Sequence, residues 1–280
     1  MARVRLRILS DLHYAEPASR IPALPSITPL LDEPELLVLN GDSIDTRFVD
    51  TDPRMADGRD AFLAFIAPYR ARLTLITGNH DPNISPLHHA ELAGGRVLVT
   101  HGDVLFPAVA PWGWEAPHVI EARRRRLEEL AADTHEHLET QLAVCKHASY
   151  ATRHLSPTAG QSHATGRARV LHLLSRVRRA DKILTSWLHA PSLAAALAAR
   201  FRPSAELVIF GHTHMPGLWR RGSRTIINTG AFTPPLGARV VDFLEDRVEV
   251  RHVVRQRGEF CAGPVAHRLR VGKELQAPLF

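Results

Sequence analysis

Cysteine is nearly absent: Cys145 and Cys261 are the only two in 280 residues, and they lie far apart. That excludes a disulfide framework and leads us to expect a reducing, cytoplasmic compartment. Lysine is scarce as well, at Lys146, Lys182 and Lys273, so the net charge of +6 is carried almost wholly by arginine. Such a balance suits an anionic partner, whether phosphate, nucleic acid or an acidic membrane face. It equally suits a solvated surface encoded by an arginine-biased genome. No apolar run is long enough to span a bilayer. The Ala-rich stretch 193–200 is short and ends at Arg200, and Val4 to Leu9 is interrupted by arginines, so no secretory leader is expected.

What the chain does have is a series of short apolar runs, each ending in polar residues. Residues 3–9 alternate arginine with Val4, Leu6 and Ile8, the pattern of a strand with one polar face, and lead to Asp11-Leu12-His13. Prolines 17, 22, 25, 29 and 34 then allow only a loop with a helical turn near Ile27–Leu31. Leu36–Leu39 ends at Asn40-Gly41-Asp42, and a helix is expected over 57–70 from Phe62, Phe65 and Ile66. Leu73–Thr77 ends at Gly78-Asn79-His80-Asp81, a helix is expected from Pro86 to Leu92, and Val97–Val99 ends at Thr100-His101-Gly102-Asp103.

From about 107 to 205 no strand pattern is visible. Ile120, Leu127, Leu130, Thr134, Leu138, Leu142 and Cys145 predict one long amphipathic helix. Gly160 to Gly166 interrupts it, and two further helices are expected at 167–178 and 181–200, with a stop or kink at Pro191. Strands resume at Leu207–Phe210, before Gly211-His212-Thr213-His214, and continue at Thr225–Asn228, with a hairpin of Ala238–Leu244 and Val248–Val254. The reading is a single α/β domain over 1–280, with 107–205 as a helical insertion acting as a lid and 256–280 as a C-terminal tail.

Five strand-like runs thus end in Asp11 and His13, Asp42, Asn79 and His80, His101, and His212 and His214. In open α/β sheets, ligands bind at the C-terminal ends of strands. Imidazole and carboxylate together suit zinc, iron or manganese. If the strands stayed extended, Asp11 and His13, and likewise His212 and His214, would project to the same side. Any one of these motifs is by itself an ordinary turn. Together they describe a site for two divalent metal ions.

The blocks Asp11-x-His13, Gly41-Asp42, Gly78-Asn79-His80-Asp81, His101-Gly102-Asp103 and Gly211-His212-Thr213-His214 resemble those of the calcineurin-like metallophosphoesterases, in order and in spacing. The resemblance covers about 1–106 and 206–255. It implies a two-sheet α/β sandwich flanked by helices. It also implies that Asp11, His13, Asp42 and His214 hold one metal ion, and that Asp42, Asn79, His101 and His212 hold the other, with Asp42 bridging. His80 would protonate the leaving group, oriented by Asp81, while water activated on the metals attacks phosphorus. Asp45 is either a supporting carboxylate for a histidine or a solvated loop acid.

An insertion at this point also resembles the layout of the UDP-2,3-diacylglucosamine diphosphatases, which carry arginine where this chain has His80. The retained histidine implies the broader branch acting on phosphomonoesters, phosphodiesters, nucleotides and phosphoproteins. The expected partner is a phosphorylated small molecule or a lipid-linked substrate, cleaved at a phosphoester or pyrophosphate bond. Alternatives are a metal-dependent nuclease, a cyclic-nucleotide phosphodiesterase, or a metal-free scaffold of the same fold. In the insertion, Trp112 and Trp114 would either stack on substrate or pack, and Arg123 to Arg126 would either grip phosphate or a membrane surface or form a solvated helix face.

Overall fold

The computed structural model describes residues 4–155 and 166–270, with backbone alone over 166–179. The first strand, β1 (Leu6–Leu9), is buried on both faces, not polar on one. Arg7 makes this work. Its Nε and Nη2 donate to Asp242 Oδ1 and Oδ2 at 2.7 and 2.8 Å, and Nη1 donates to the Leu30 carbonyl at 3.1 Å. Asp242 sits directly opposite Arg7 on the neighbouring antiparallel strand. A buried charge is tolerated when it is paired and hydrogen-bonded in this way.

Around β1 lies a six-stranded sheet with β2 (Leu36–Asn40), β3 (Leu73–Ile76), β9 (Arg239–Phe243), β10 (Arg247–Gln256) and β11 (Glu259–Arg270), in the order β11-β10-β9-β1-β2-β3. A second sheet holds β4 (His89–Leu92), β5 (Val97–Thr100), β6 (Leu207–Phe210), β7 (Gly217–Arg221) and β8 (Arg224–Asn228), in the order β4-β5-β6-β8-β7. β1, β2 and β3 run parallel in one sheet, and β5, β6 and β8 in the other. Leu6, Ile8, Val38 and Val241 from the first sheet meet Val97, Val99, Ile209 and Ile227 from the second in one buried cluster. The opposite face of the first sheet packs Leu37 and Leu39 on α1 (Thr28–Asp32) and α2 (Pro53–Ile66) through Leu30, Leu31 and Phe62. The architecture is the expected α/β sandwich of two sheets between helices.

The outer face of the second sheet is covered from the insertion. Here Leu98, Val208, Phe210 and Ile226 meet α3 (Ala116–Glu128), α4 (Leu138–Ala151) and α5 (Gly166–Phe201). The single long helix expected around 120–145 is broken into α3 and α4. Ala131 adopts an extended conformation, a 3-10 turn follows at Ala132–Glu136, and His135 Nε2 bonds to the Leu127 carbonyl at 2.8 Å. Leu138, Leu142 and Cys145 of α4 face the core as expected, whereas α3 presents Val119 and Ala122 to it and leaves Ile120 exposed. At Pro191 the opposite happens, for α5 runs straight through it. Ala190, Ala194 and Ala198 form a buried stripe against the sheet, and their close packing offsets the backbone bond that proline removes. The expected break at Gly160 to Gly166 falls mostly outside the described residues.

Three other expectations change. His89–Leu92 is a strand, not the end of a helix, because it pairs antiparallel with Val97–Thr100 through the turn containing Ala93, Gly94 and Gly95, all at positive φ. Gly217–Arg221 is an edge strand whose half-buried residues alternate too weakly to be seen in sequence. The tail expected from residue 256 instead contributes β11, which pairs with β10 along its length. Its prolonged polar pattern reflects a sheet edge that is mostly half-exposed. Residues 271–280 lie outside the described residues.

One buried ion pair ties α4 to the tip of β5. Lys146 Nζ donates to Asp103 Oδ2 at 2.6 Å, with both side chains out of solvent. Asp103 Oδ1 has no protein partner among the described residues. Lys146→Met is therefore expected to destabilise the fold by about 3–5 kcal/mol, since it strands a buried carboxylate. Urea denaturation measures this, and an unchanged midpoint would contradict the pairing.

Candidate metal centre

All the sequence-predicted polar residues meet at the C-terminal ends of β1, β2, β3, β5 and β6. They do not get there by extending the strands. Asp11, His13, Asp42, His212 and His214 all have φ between 49° and 64°. Alternate projection along an extended strand is thus replaced by left-handed turns that fold each donor inward. Such backbone costs about 1 kcal/mol or more per non-glycine residue and tends to occur at functional sites. The close approach also dictates two glycines. A Cβ at Gly78 would lie 2.1 Å from Asp42 Oδ1, and one at Gly211 would lie 2.1 Å from Asp11 Oδ2.

Four groups of potential ligating atoms form among the described residues: His13 with Glu16 and His80, His89 with Glu91 and Glu139, and the two sets that the strand-tip motifs supply. Asp11, His13 and His214 converge, as do Asp42, His101 and His212, with the atoms of each set within 4.8 Å of one another. In the first, His13 Nε2 and His214 Nε2 face each other at 3.0 Å, and Asp11 Oδ1 lies 3.3 Å from His214 Nε2. In the second, Asp42 Oδ2 is 3.2 Å from His101 Nε2, which is 3.3 Å from Asn79 Oδ1. Asp42 Oδ2 is also 3.9 Å from His13 Nε2, so this carboxylate stands between the sets.

The far nitrogen of each of the four histidines is already engaged. His13 Nδ1 bonds Glu16 Oε1 at 2.7 Å, and His101 Nδ1 bonds the Asn40 carbonyl at 3.1 Å. His212 Nε2 bonds the Val109 carbonyl at 2.8 Å, and His214 Nδ1 bonds Thr233 Oγ1 at 3.1 Å. For His13, His101 and His212, a carbonyl or carboxylate on one ring nitrogen makes that nitrogen the N–H and leaves the other to offer its lone pair, as metal-ligating histidines require, while the Thr233 hydroxyl can serve either tautomer of His214. The donor set therefore fits two divalent cations.

Electrostatics agree. Burial and the neighbouring His101 push His212 down to about 4, so it is a neutral imidazole near pH 7. Burial works against a proton on His101 as well, but Asp42 outweighs it and pushes His101 up to about 9. His13 is likewise raised, burial being overcome by Glu16 and Asp11. Below these values the metal-free site carries protons where a ligand must be neutral. Manganese added to metal-free protein in weak buffer at pH 7.5 is expected to release at least one proton per ion, and affinity is expected to rise with pH towards 9. Pairing pH-stat readings with calorimetry tests this, and pH-independent binding without proton release would refute it.

His80 lies beside the sets, its ring 4.9 Å from that of His13 in an edge-on arrangement. Its Nδ1 is 3.1 Å from Glu16 Oε1, 3.2 Å from Asp45 Oδ2 and 2.9 Å from Arg47 Nη2. Arg47 is itself paired with Asp45 at 2.7 Å. Burial and Arg47 oppose a proton on His80, but Glu16, Asp42 and Asp45 prevail and push it up to about 10.

Asp81 does not orient His80. Its buried carboxylate accepts N–H bonds from Gly78, Asp42 and Ser43 at 2.6, 3.0 and 2.7 Å. It fastens the tip of β3 to that of β2, while Asp45 and Glu16 hold the imidazole. Glu16, Arg47, Thr233 and the Val109 carbonyl were not foreseen. Glu16 alone left a trace in the sequence, as an acid three residues after His13.

From the insertion, Trp112 packs on His212 with ring centroids 5.4 Å apart, whereas Trp114 is exposed. Arg124, Arg125 and Arg126 pair with Glu121, Glu128 and Glu129 along α3 and its C-terminal end, and Arg123 donates to the Phe106 carbonyl, so each arginine of the run has a partner within the protein. No described helix is long and apolar enough to cross a membrane.

No curated protein matches the chain. Among solved structures, it is similar to a dimetal phosphatase from Danio rerio, at 16% identity over 93% of this chain and 98% of that one, with a TM-score of 0.42. It is also similar to the phosphoesterase Yfce from E. coli, at 13% identity over 95% and 99%, with a TM-score of 0.40. A third similar structure is Vps29 from Chaetomium thermophilum, at 11% identity over 96% and 97%, with a TM-score of 0.43. The family described as calcineurin-like phosphoesterase matches residues 4–216, a span holding every ligating side chain of both donor sets. With three quarters of its length matched and the donor residues inside that span, the chain belongs to the calcineurin-like phosphoesterase family and is a metal-dependent phosphoester hydrolase.

Proposed function

We propose that the chain hydrolyses a phosphoester of a small or lipid-linked molecule at a centre of two divalent ions, with His80 as the general acid. The observation that carries this reading is the set of four histidines, each with its outer nitrogen engaged and its inner nitrogen turned towards Asp11, Asp42 or Asn79. Asp11, His13, Asp42 and His214 would hold one ion, and Asp42, Asn79, His101 and His212 the other. Bound there, manganese, iron or zinc supplies Lewis acidity and lowers the pKa of water.

The chain's own residues do the rest. Asp42 sets the spacing of the two donor sets. His80 borders the substrate cavity, and its Nδ1 is held by Glu16 and Asp45. The carboxylates keep the imidazole protonated, so Nε2 donates to the leaving oxygen as the ester bond breaks. Arg47, buried against Asp45, limits how strongly the proton is held. Helices α3, α4 and α5 cover the second sheet, and the insertion supplies Trp112 and Trp187 to the cavity wall.

The test is hydrolysis of mono- and diester phosphates with added manganese, alongside the metal content of the protein. Two ions per chain and metal-dependent turnover are expected. A protein that retains no metal and cleaves no ester would instead be a scaffold.

A further inference from the structure

The cavity over the donor sets has a polar floor and apolar walls. Asp42, Asn79, His80, His212 and His214 line the floor, and the walls are Ala110, Trp112, Ile183, Trp187, Pro234 and Pro235. No lysine or arginine lines it among the described residues. Among the described residues, a second phosphoryl group entering this cavity would meet no cation but the metal centre and His80, whose charge is already matched by Glu16 and Asp45, and burying an unpaired charge is costly. The volume, about 210 Å³, is below the roughly 300–1,000 Å³ that encloses a drug-sized ligand. It holds a phosphoryl group and one compact substituent.

Trp187 is fixed in place. Its indole N–H donates to the Thr213 carbonyl at 2.6 Å, within the same turn that carries His212 and His214. With its polar edge engaged, the ring has only carbon to offer the cavity. Ile183 lies one helical turn before it on α5 and shares the same face. Leu184 and Leu188 occupy the next face of α5, Leu188 being 72% exposed.

Resting on the phosphoesterase reading, we propose that this cavity selects phosphoesters whose alcohol bears a compact, uncharged, apolar group, with Trp187 as the specificity-determining residue. Ethyl, benzyl and octyl phosphate separate the possibilities, because their alcohols are similarly basic and differ chiefly in apolar bulk. Pyrophosphate and ATP supply the polyanionic comparison. Benzyl phosphate is expected to exceed ethyl phosphate about tenfold in kcat/KM, the order of effect of one ring packed on an aromatic wall. That preference should appear mainly in KM.

Trp187→Ala is expected to bring the two esters within about threefold of each other, while Trp187→Phe, which keeps an aromatic wall with less area and no N–H, retains most of the preference. Because Trp187→Ala also frees the Thr213 carbonyl, Ile183→Asn provides a second variant that disturbs no hydrogen bond of the site, and it is expected to weaken the preference likewise. Equal kcat/KM for ethyl and benzyl phosphate in the wild type, or a preference for octyl phosphate, pyrophosphate or ATP, overturns the inference and leaves the phosphoesterase reading standing. No turnover of any ester overturns both.

Discussion

Asp42→Asn is expected to lose bound metal and turnover together while the chain still folds. The carboxylate stands 3.2 Å from His101 Nε2 and 3.9 Å from His13 Nε2, so one side chain serves both donor sets. Its other oxygen accepts the His80 backbone N–H at 2.8 Å. Asparagine has nearly the same shape and can keep one acceptor. It removes the negative charge, and its amide group cannot ligate where an oxygen stood. Losing a partner outside the ligand set typically lowers metal affinity about 10–100-fold, and the loss of a shared ligand is expected to exceed that. In the metal-free state the same carboxylate opposes the burial that would otherwise suppress the proton on His101, so the variant should also lower the His101 pKa from about 9. Metal-to-protein ratio, turnover and histidine titration by NMR measure the three effects. Full metal occupancy and wild-type turnover would remove Asp42 from its bridging role.

His80→Ala is expected to separate the two properties, retaining metal and losing turnover by about 10²–10⁴-fold. The imidazole belongs to neither three-residue donor set around Asp11 or Asp42. Removing it leaves Asp45 paired with Arg47, so no buried carboxylate is abandoned there. The signature of a general acid is its dependence on the leaving group. The loss should be large for an alkyl phosphate, whose alkoxide needs the proton. It should shrink for p-nitrophenyl phosphate, whose phenolate departs without help. An equal loss on both substrates would assign His80 to binding. Loss of metal in this variant would make it a ligand.

How far the sequence reached depends on the kind of interaction involved. Strands β1, β2, β3, β5 and β6 were legible because each is a short apolar run, mostly buried save for the edge strand β3, and ended by a turn with a glycine or a metal-ligand side chain. Edge strands β4, β7 and β11 were not, since half-exposed residues carry no strong period. The break between α3 and α4 was invisible because exposed Ile120 and half-buried Leu127 and Leu130 happen to continue the spacing of the core residues Leu138, Leu142 and Cys145. At the site, side chains were legible by type and position at strand tips. The interactions that set their protonation were not, for they come from the Val109 and Asn40 carbonyls and from Thr233, which have no chemical signature in sequence. Asp81 shows the same limit: its adjacency to His80 suggested contact, yet its carboxylate points to three backbone N–H groups instead.

The left-handed backbone at Asp11, His13, Asp42, His212 and His214 bears on how this protein tolerates mutation. At each of these positions glycine would relax the chain, and at each it would delete a donor atom. Selection for thermostability and selection for hydrolysis therefore pull in opposite directions at the same five residues, a trade-off between stability and activity.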